Sequence, residues 1–133
     1  MAECELTHLH REAIDLELAA AQLAAYEEAL ARLGFVILHL EAQPSLPDSV
    51  FVEDAAVVLE ELAIITRPGA PARRRETISI ADALAPVRRI AQIAAPGTLD
   101  GGDVLRLGTR LFVGQSGRTN DDGIRQLRRL VEP

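Results

Sequence analysis

Between residues 15 and 33, apolar side chains recur at steps of three and four (Leu23, Tyr26, Leu30, Leu33) among Glu, Gln and Arg. That is the stripe of an amphipathic helix. Asp15 stands where an N-cap belongs and Gly34 where a left-handed residue closes a helix, and such a helix is expected to pack on a sheet. The run Phe-Val-Ile-Leu-His-Leu at 35–40 is short and continuous, which predicts a buried strand. After the loop marked by Pro44 and Pro47, a Val-rich stretch over 48–59, a polar turn at Glu60-Glu61 and an apolar run over 62–66 predict a β-hairpin. Pro68-Gly69-Ala70-Pro71 interrupts the pattern. A helix is then expected over 73–89, with Ile78, Ile80, Ala81, Leu84 and Val87 as its apolar side, and a strand over 90–94. A loop at 97–102, a second hairpin from 104–107 and 111–113, and a helix over 120–131 follow.

Two stretches of this pattern repeat. Pro47 precedes Asp54 by seven residues and Pro96 precedes Asp103 by seven; each acid is followed eight residues later by a Leu, Leu62 or Leu111. Each hairpin then leads into an Arg-bearing loop, 67–75 in the first copy and around Arg118 in the second, and the period is 49 residues. Strand-strand-helix-strand modules used twice fit this order. A repeat module cannot bury its apolar face alone, so at least three are expected in a stable assembly, the others coming from further sequence or from a partner chain.

Length, charge and cysteine content narrow the function classes. At 133 residues the chain has room for one domain. It has no apolar run near the ~18 residues of a membrane helix, and its Met-Ala-Glu-Cys-Glu start is unlike a signal peptide. A cytoplasmic protein, neither membrane-bound nor secreted, is expected. Twenty acidic residues face fourteen basic ones, a net charge of −6, which argues against a phosphate-backbone binder. All fourteen basic residues are Arg, a usage that with abundant Ala and Leu points to a GC-rich bacterial source. The single Cys4 can form no internal disulfide and no CxxC zinc site. His8 and His10 have no third ligand near them in sequence, so no metal and no other cofactor is expected.

The chemistry therefore has to come from the loops. Asp48, Glu53, Asp54, Asp100 and Asp103 lie beside the hairpins, and Arg73, Arg74 and Arg118 follow them. Carboxylates at one end and guanidinium forks at the other suit a zwitterion with a cationic head, such as arginine or a relative. The plainer alternative is that these are solvated turn residues.

Read in order, Pro47-Asp-Ser-Val-Phe-Val-Glu-Asp54, Ile65-Thr-Arg-Pro-Gly69, Arg73-Arg74, Thr98-Leu-Asp-Gly-Gly-Asp103 and Gly117-Arg-Thr-Asn120 resemble dimethylarginine dimethylaminohydrolase, a member of the guanidino-group-modifying (pentein) superfamily. The resemblance implies an α/β fold, a five-bladed α/β propeller of ββαβ modules, of which residues 1–133 would hold about two to three as an N-terminal portion. It implies that Asp48 and Asp54 hold a substrate guanidinium with Glu53 in the same wall. Arg73 and Arg118 would bind the amino-acid carboxylate, and the Leu6 carbonyl, in a lid, would meet the amino group. Asp100 matches the acid of a Cys-His-acid triad. In that chemistry a thiolate attacks the guanidinium carbon, dimethylamine leaves, and water releases citrulline from the covalent intermediate.

The departure is in the rest of the triad. No His or Cys follows Asp100, where the family carries both, and Arg75 stands where relatives often have Gly. The resemblance thus implies a dimethylargininase-type hydrolase whose His and Cys are not in this chain, which by itself should be inactive. Arginine deiminase and amidinotransferase chemistry on arginine or agmatine belong to the same superfamily. The alternative is a non-catalytic module that binds guanidino compounds or is completed by a partner. A small-molecule substrate, no nucleic acid, and association into an oligomer through uncovered strand edges are expected.

Overall fold

The computed structural model describes residues 13–132, which fall into two compact units divided between Pro47 and Asp48. In the first unit, helix α1 (Leu16–Arg32) begins where Asp15 accepts the Leu18 amide at 3.0 Å. It ends before Gly34, whose φ of 88° lies in the left-handed region that Gly enters without strain. No α1 residue is buried. The strand expected over 35–40 is not formed: among the described residues the segment pairs with no strand, and Val36 is 96% exposed. An apolar run becomes a strand only where a ladder accepts its amides, and periodicity does not carry that information.

The second unit carries the repeat. Its first module holds β1 (Ala56–Val58), β2 (Leu62–Ile65), helix α3 (Glu76–Leu84) and β3 (Arg89–Gln92). β1 pairs antiparallel with β2 (Val57 opposite Ile64), and β3 lies parallel to β2 on its other edge (Ala63 opposite Ile90). The first arm of the hairpin is shorter than the hydrophobic pattern predicts. Val52–Ala55 form one helical turn, α2, because Asp54 and Glu53 sit on a bend that turns toward the second module. The helix expected over 73–89 divides too: Pro71–Arg75 is a 3₁₀ segment and α3 ends at Leu84, so Ile78 and Val87 are exposed while Ile80 is buried.

The second module repeats the order with β4 (Val104–Leu107), β5 (Arg110–Val113) and α4 (Asp121–Val131). β4 and β5 are antiparallel, and among the described residues nothing pairs with the other edge of β5, the place that β3 takes beside β2. Asn120 caps α4 by accepting the Gly123 amide at 2.9 Å. Asp121 and Asp122 begin the helix and Arg128 and Arg129 end it, in the sense the helix dipole favours.

One apolar core joins the two modules: Val57, Leu62, Ile64, Ile93, Leu99 and Leu127. Arg67 and Leu99 form a bridge between the modules, the Leu99 amide donating to the Arg67 carbonyl at 2.9 Å. A cleft of about 790 Å³ runs beside β5 and α4, lined in part by Leu59, Leu62, Leu111, Leu130 and Val131. No described helix is long and apolar enough to cross a membrane.

Candidate functional site

The two acidic loops, the segment from Asp48 to Asp54 and the turn Gly101–Asp103, approach one another so closely that side chains are excluded between them. A Cβ on Gly101 would lie 2.0 Å from the Glu53 carbonyl oxygen, and one on Gly102 would lie 2.7 Å from Asp54 Oδ1. The Gly-Gly pair of Leu-Asp-Gly-Gly-Asp is thus a packing requirement, and it gathers carboxylates from both modules.

In the first module Arg73 is the centre. Its Nη1 donates to Asp54 Oδ2 at 2.8 Å, its Nε to Glu76 Oε2 at 3.0 Å, and its Nη2 to the Asp48 carbonyl at 3.2 Å. Nη2 also lies 2.8 Å from Glu76 Oε2, and the guanidinium sits 5.9 Å from the Phe51 ring centroid. Burial works against the Arg73 charge, but the bonds and charges of Glu76 and Asp54 outweigh it and hold the proton more tightly than usual. Asp48 is buried, its carbonyl also accepting the Phe51 amide at 3.0 Å. Asp54 is fixed from behind by the Thr66 hydroxyl, which donates to its carbonyl at 2.7 Å.

The second module builds a looser version. Asp103 Oδ2 accepts the Ser116 and Thr119 hydroxyls at 2.6 Å each. Arg118 lies 3.6 Å from Asp103 Oδ1 and 3.5 Å from Asp100 Oδ2, yet its side chain is 47% exposed. Arg73 has an acceptor on every nitrogen, whereas Arg118 is held at longer range with an open side. Asp100 is buried, accepts the Gly102 amide at 3.1 Å, and its own amide donates to Thr119 Oγ1 at 3.0 Å. Burial first, and then the charge and hydrogen bond of Asp54, push the Asp100 carboxyl up to about 6, with Arg118 opposing. Burial would raise Asp103 too, but the two hydroxyls and Arg118 outweigh it and lower its carboxyl below the ordinary value.

Backbone contact joins the two Arg loops, since a Cβ on Gly69 would meet the Arg118 Cα at 2.8 Å. Of the residues singled out in the sequence, Asp48, Asp54, Arg73, Asp100 and Arg118 come together here. Glu53 contributes its carbonyl to the loop contact and leaves its side chain exposed. Leu6, Cys4, His8 and His10 lie outside the described residues. Arg74 serves the loop itself, its Nε donating to the Pro68 carbonyl at 3.1 Å. Glu76 and Ser116 lie outside the motifs read in the sequence, and Thr66 and Thr119 lie inside them without an assigned role; Glu76 stands one helical turn after Arg73, which was the available signal. Among the described residues no group of His, Cys, Asp or Glu is arranged to hold a metal ion.

This arrangement has counterparts among known proteins. No family model matches the chain. An N(G),N(G)-dimethylarginine dimethylaminohydrolase of Streptomyces coelicolor is 48% identical over 134 residues, covering 100% of this chain and 52% of that protein. The enzyme of the same name from Pseudomonas aeruginosa is 39% identical, covering 96% of this chain and 51% of its own length. A solved structure of the Pseudomonas aeruginosa enzyme, a cysteine-to-serine variant complexed with citrulline, superposes with a TM-score of 0.90 at 38% identity, over 95% of this chain and 50% of that one. The chain spans about half the length of these relatives. With the ordered motifs, the duplicated hairpin–helix module and the superposition all in agreement, the chain matches the dimethylarginine dimethylaminohydrolase family over about half the length of its members and carries modules of their α/β propeller fold.

Proposed function

We propose that this chain supplies the ligand-holding side of an amidine hydrolase that converts N-methylated arginine to citrulline and dimethylamine. The observation that carries the proposal is the convergence of Asp48, Asp54 and Asp100 from two modules, with the open Arg118 fork on the same wall. The buried Asp48 and Asp100 and the half-buried Asp54 suit a guanidinium, and Arg118 offers paired N–H donors to an amino-acid carboxylate. Arg73, already bound to Asp54 and Glu76, supports the carboxylate role assigned to it only through whatever donor capacity those bonds leave. Leu6 would add a carbonyl for the amino group.

Asp100 fits the acid that orients a catalytic His. In the reaction a Cys thiolate forms a C–S bond to the guanidinium carbon, and dimethylamine departs with a proton supplied by the His. The His then takes a proton from water, the oxygen adds to the same carbon, and the C–S bond breaks to return the thiolate and release citrulline. With no His or Cys after Asp100, those two groups come from further polypeptide, in the same chain or a partner.

Calorimetric titration of the chain with asymmetric dimethylarginine and with L-citrulline tests the binding half. Both should bind, and Arg118→Ala should weaken both about tenfold or more without changing the fold. A citrulline-release assay tests the catalytic half: the chain alone should give no turnover, and turnover by it would overturn the assignment of the triad.

A further inference from the structure

Between Arg73 and the first turn of α3 lies a buried acid to which the proposed chemistry gives no role. Glu76 is 5% exposed and takes both Nε and Nη2 of Arg73 on one oxygen, Oε2, at 3.0 and 2.8 Å. The remaining terminal nitrogen, Nη1, is turned to Asp54 Oδ2 at 2.8 Å. Asp54, Arg73 and Glu76 together carry one net negative charge. Without Glu76 the Arg73 cation would be shared with Asp54 alone, and the three positions would sum to zero. Asp54 in turn faces Asp100 across the Gly102 contact.

We infer that Glu76 is a positioning residue that neutralises Arg73 from behind, so that Asp54 keeps its charge for a cationic ligand head and the site prefers guanidinium to a neutral ureido group. The inference rests on the proposed guanidino-amino-acid site and adds a cause for its selectivity. A buried counter-charge acts at short range in a poorly screened environment, where removing one unit changes the attraction for a cation far more than for a dipole. Of the acids nearby, Asp103 does not replace it, being turned to Ser116, Thr119 and Arg118.

The test compares two ligands of the same length, asymmetric dimethylarginine (cationic head) and L-citrulline (neutral head), on the 133-residue chain. Glu76→Gln keeps the shape and one hydrogen-bond acceptor but removes the charge. It should weaken dimethylarginine about tenfold while leaving citrulline within about twofold. Glu76→Asp keeps the charge and should retain the wild-type ratio of the two affinities. An equal loss for both ligands in Glu76→Gln, or a lost ratio in Glu76→Asp, would overturn the inference in favour of a merely structural contact.

A second readout needs no ligand. The Asp100 carboxyl, which faces Asp54 of α2 and Arg118 of the loop before α4, titrates near 6 partly because Asp54 is charged. In Glu76→Gln, with Arg73 given wholly to Asp54, its NMR titration midpoint should fall by about half a unit or more. An unmoved midpoint would overturn the inference. If the wild-type chain binds neither ligand, the proposed site falls, and the Asp100 midpoint still decides the role of Glu76.

Discussion

Asp100 shows how one residue's surroundings set its chemistry. Its carboxyl is shielded from water and stands against Asp54, so it keeps a proton to about 6, above its ordinary 3.8. The folded chain therefore binds this proton more tightly than the unfolded chain does. The stability it contributes is full below about pH 4 and is lost as pH rises through about 6. Asp103, held below 3.8, acts in the other direction, contributing above that value and losing its contribution as pH falls. Ligand binding follows the charge of Asp100: a guanidinium ligand should bind more tightly as pH rises from about 5 to 7, when Asp100 ionises. Carboxyl-detected NMR should give an Asp100 midpoint near 6, and Asp54→Asn should move it down toward 3.8. An Asp100 that titrates at its ordinary value in the wild type would contradict both its burial and its pairing.

At the scale of elements, the glycines between the acidic loops make the sharpest prediction. Gly101→Ala puts a Cβ against the Glu53 carbonyl, which is main chain and has nowhere to go, and should cost about 2–4 kcal/mol. A Cβ on Gly117 would meet no atom within 4 Å, and the φ of that residue is not positive, so Gly117→Ala should stay within about 0.5 kcal/mol of the parent. Urea unfolding of the two variants checks the contrast. Elements of this kind were unevenly legible in the sequence. The α1 limits, the 104–113 hairpin and the capped α4 could be read from local signals: Asp15, Gly34 and Asn120, and alternating apolar runs. The strand expected over 35–40 could not be judged locally, because pairing depends on a partner. The helical turn at Val52–Ala55 was hidden because Val favours strands, while Glu53 and Asp54 are bent by contact with Gly101 and Gly102. The motifs led to Asp48, Asp54, Arg73, Asp100 and Arg118, whereas Glu76 and Thr119 emerged only once their partners were in place.

For the molecule as a whole, the open edge of β5 and the cleft beside α4 leave main-chain groups and apolar side chains uncovered in the second unit. Such an edge is a template for further strand pairing. Sedimentation velocity across a concentration series should show weight growing with concentration, and Leu111→Arg or Val113→Arg on β5 should suppress it. A monomer at every concentration would mean that the edge is protected by other means. The contact of Gly69 on Arg118 has a different consequence. Because main chain rests on main chain there, and Gly101 on the Glu53 carbonyl likewise, the spacing of the Asp48–Asp54 segment from the backbone that carries Arg118 is set by the main chain and not by adjustable side chains. The site is then a ruler: an arginine homologue one methylene longer or shorter should lose about tenfold or more in affinity, even though it carries the same two charged ends.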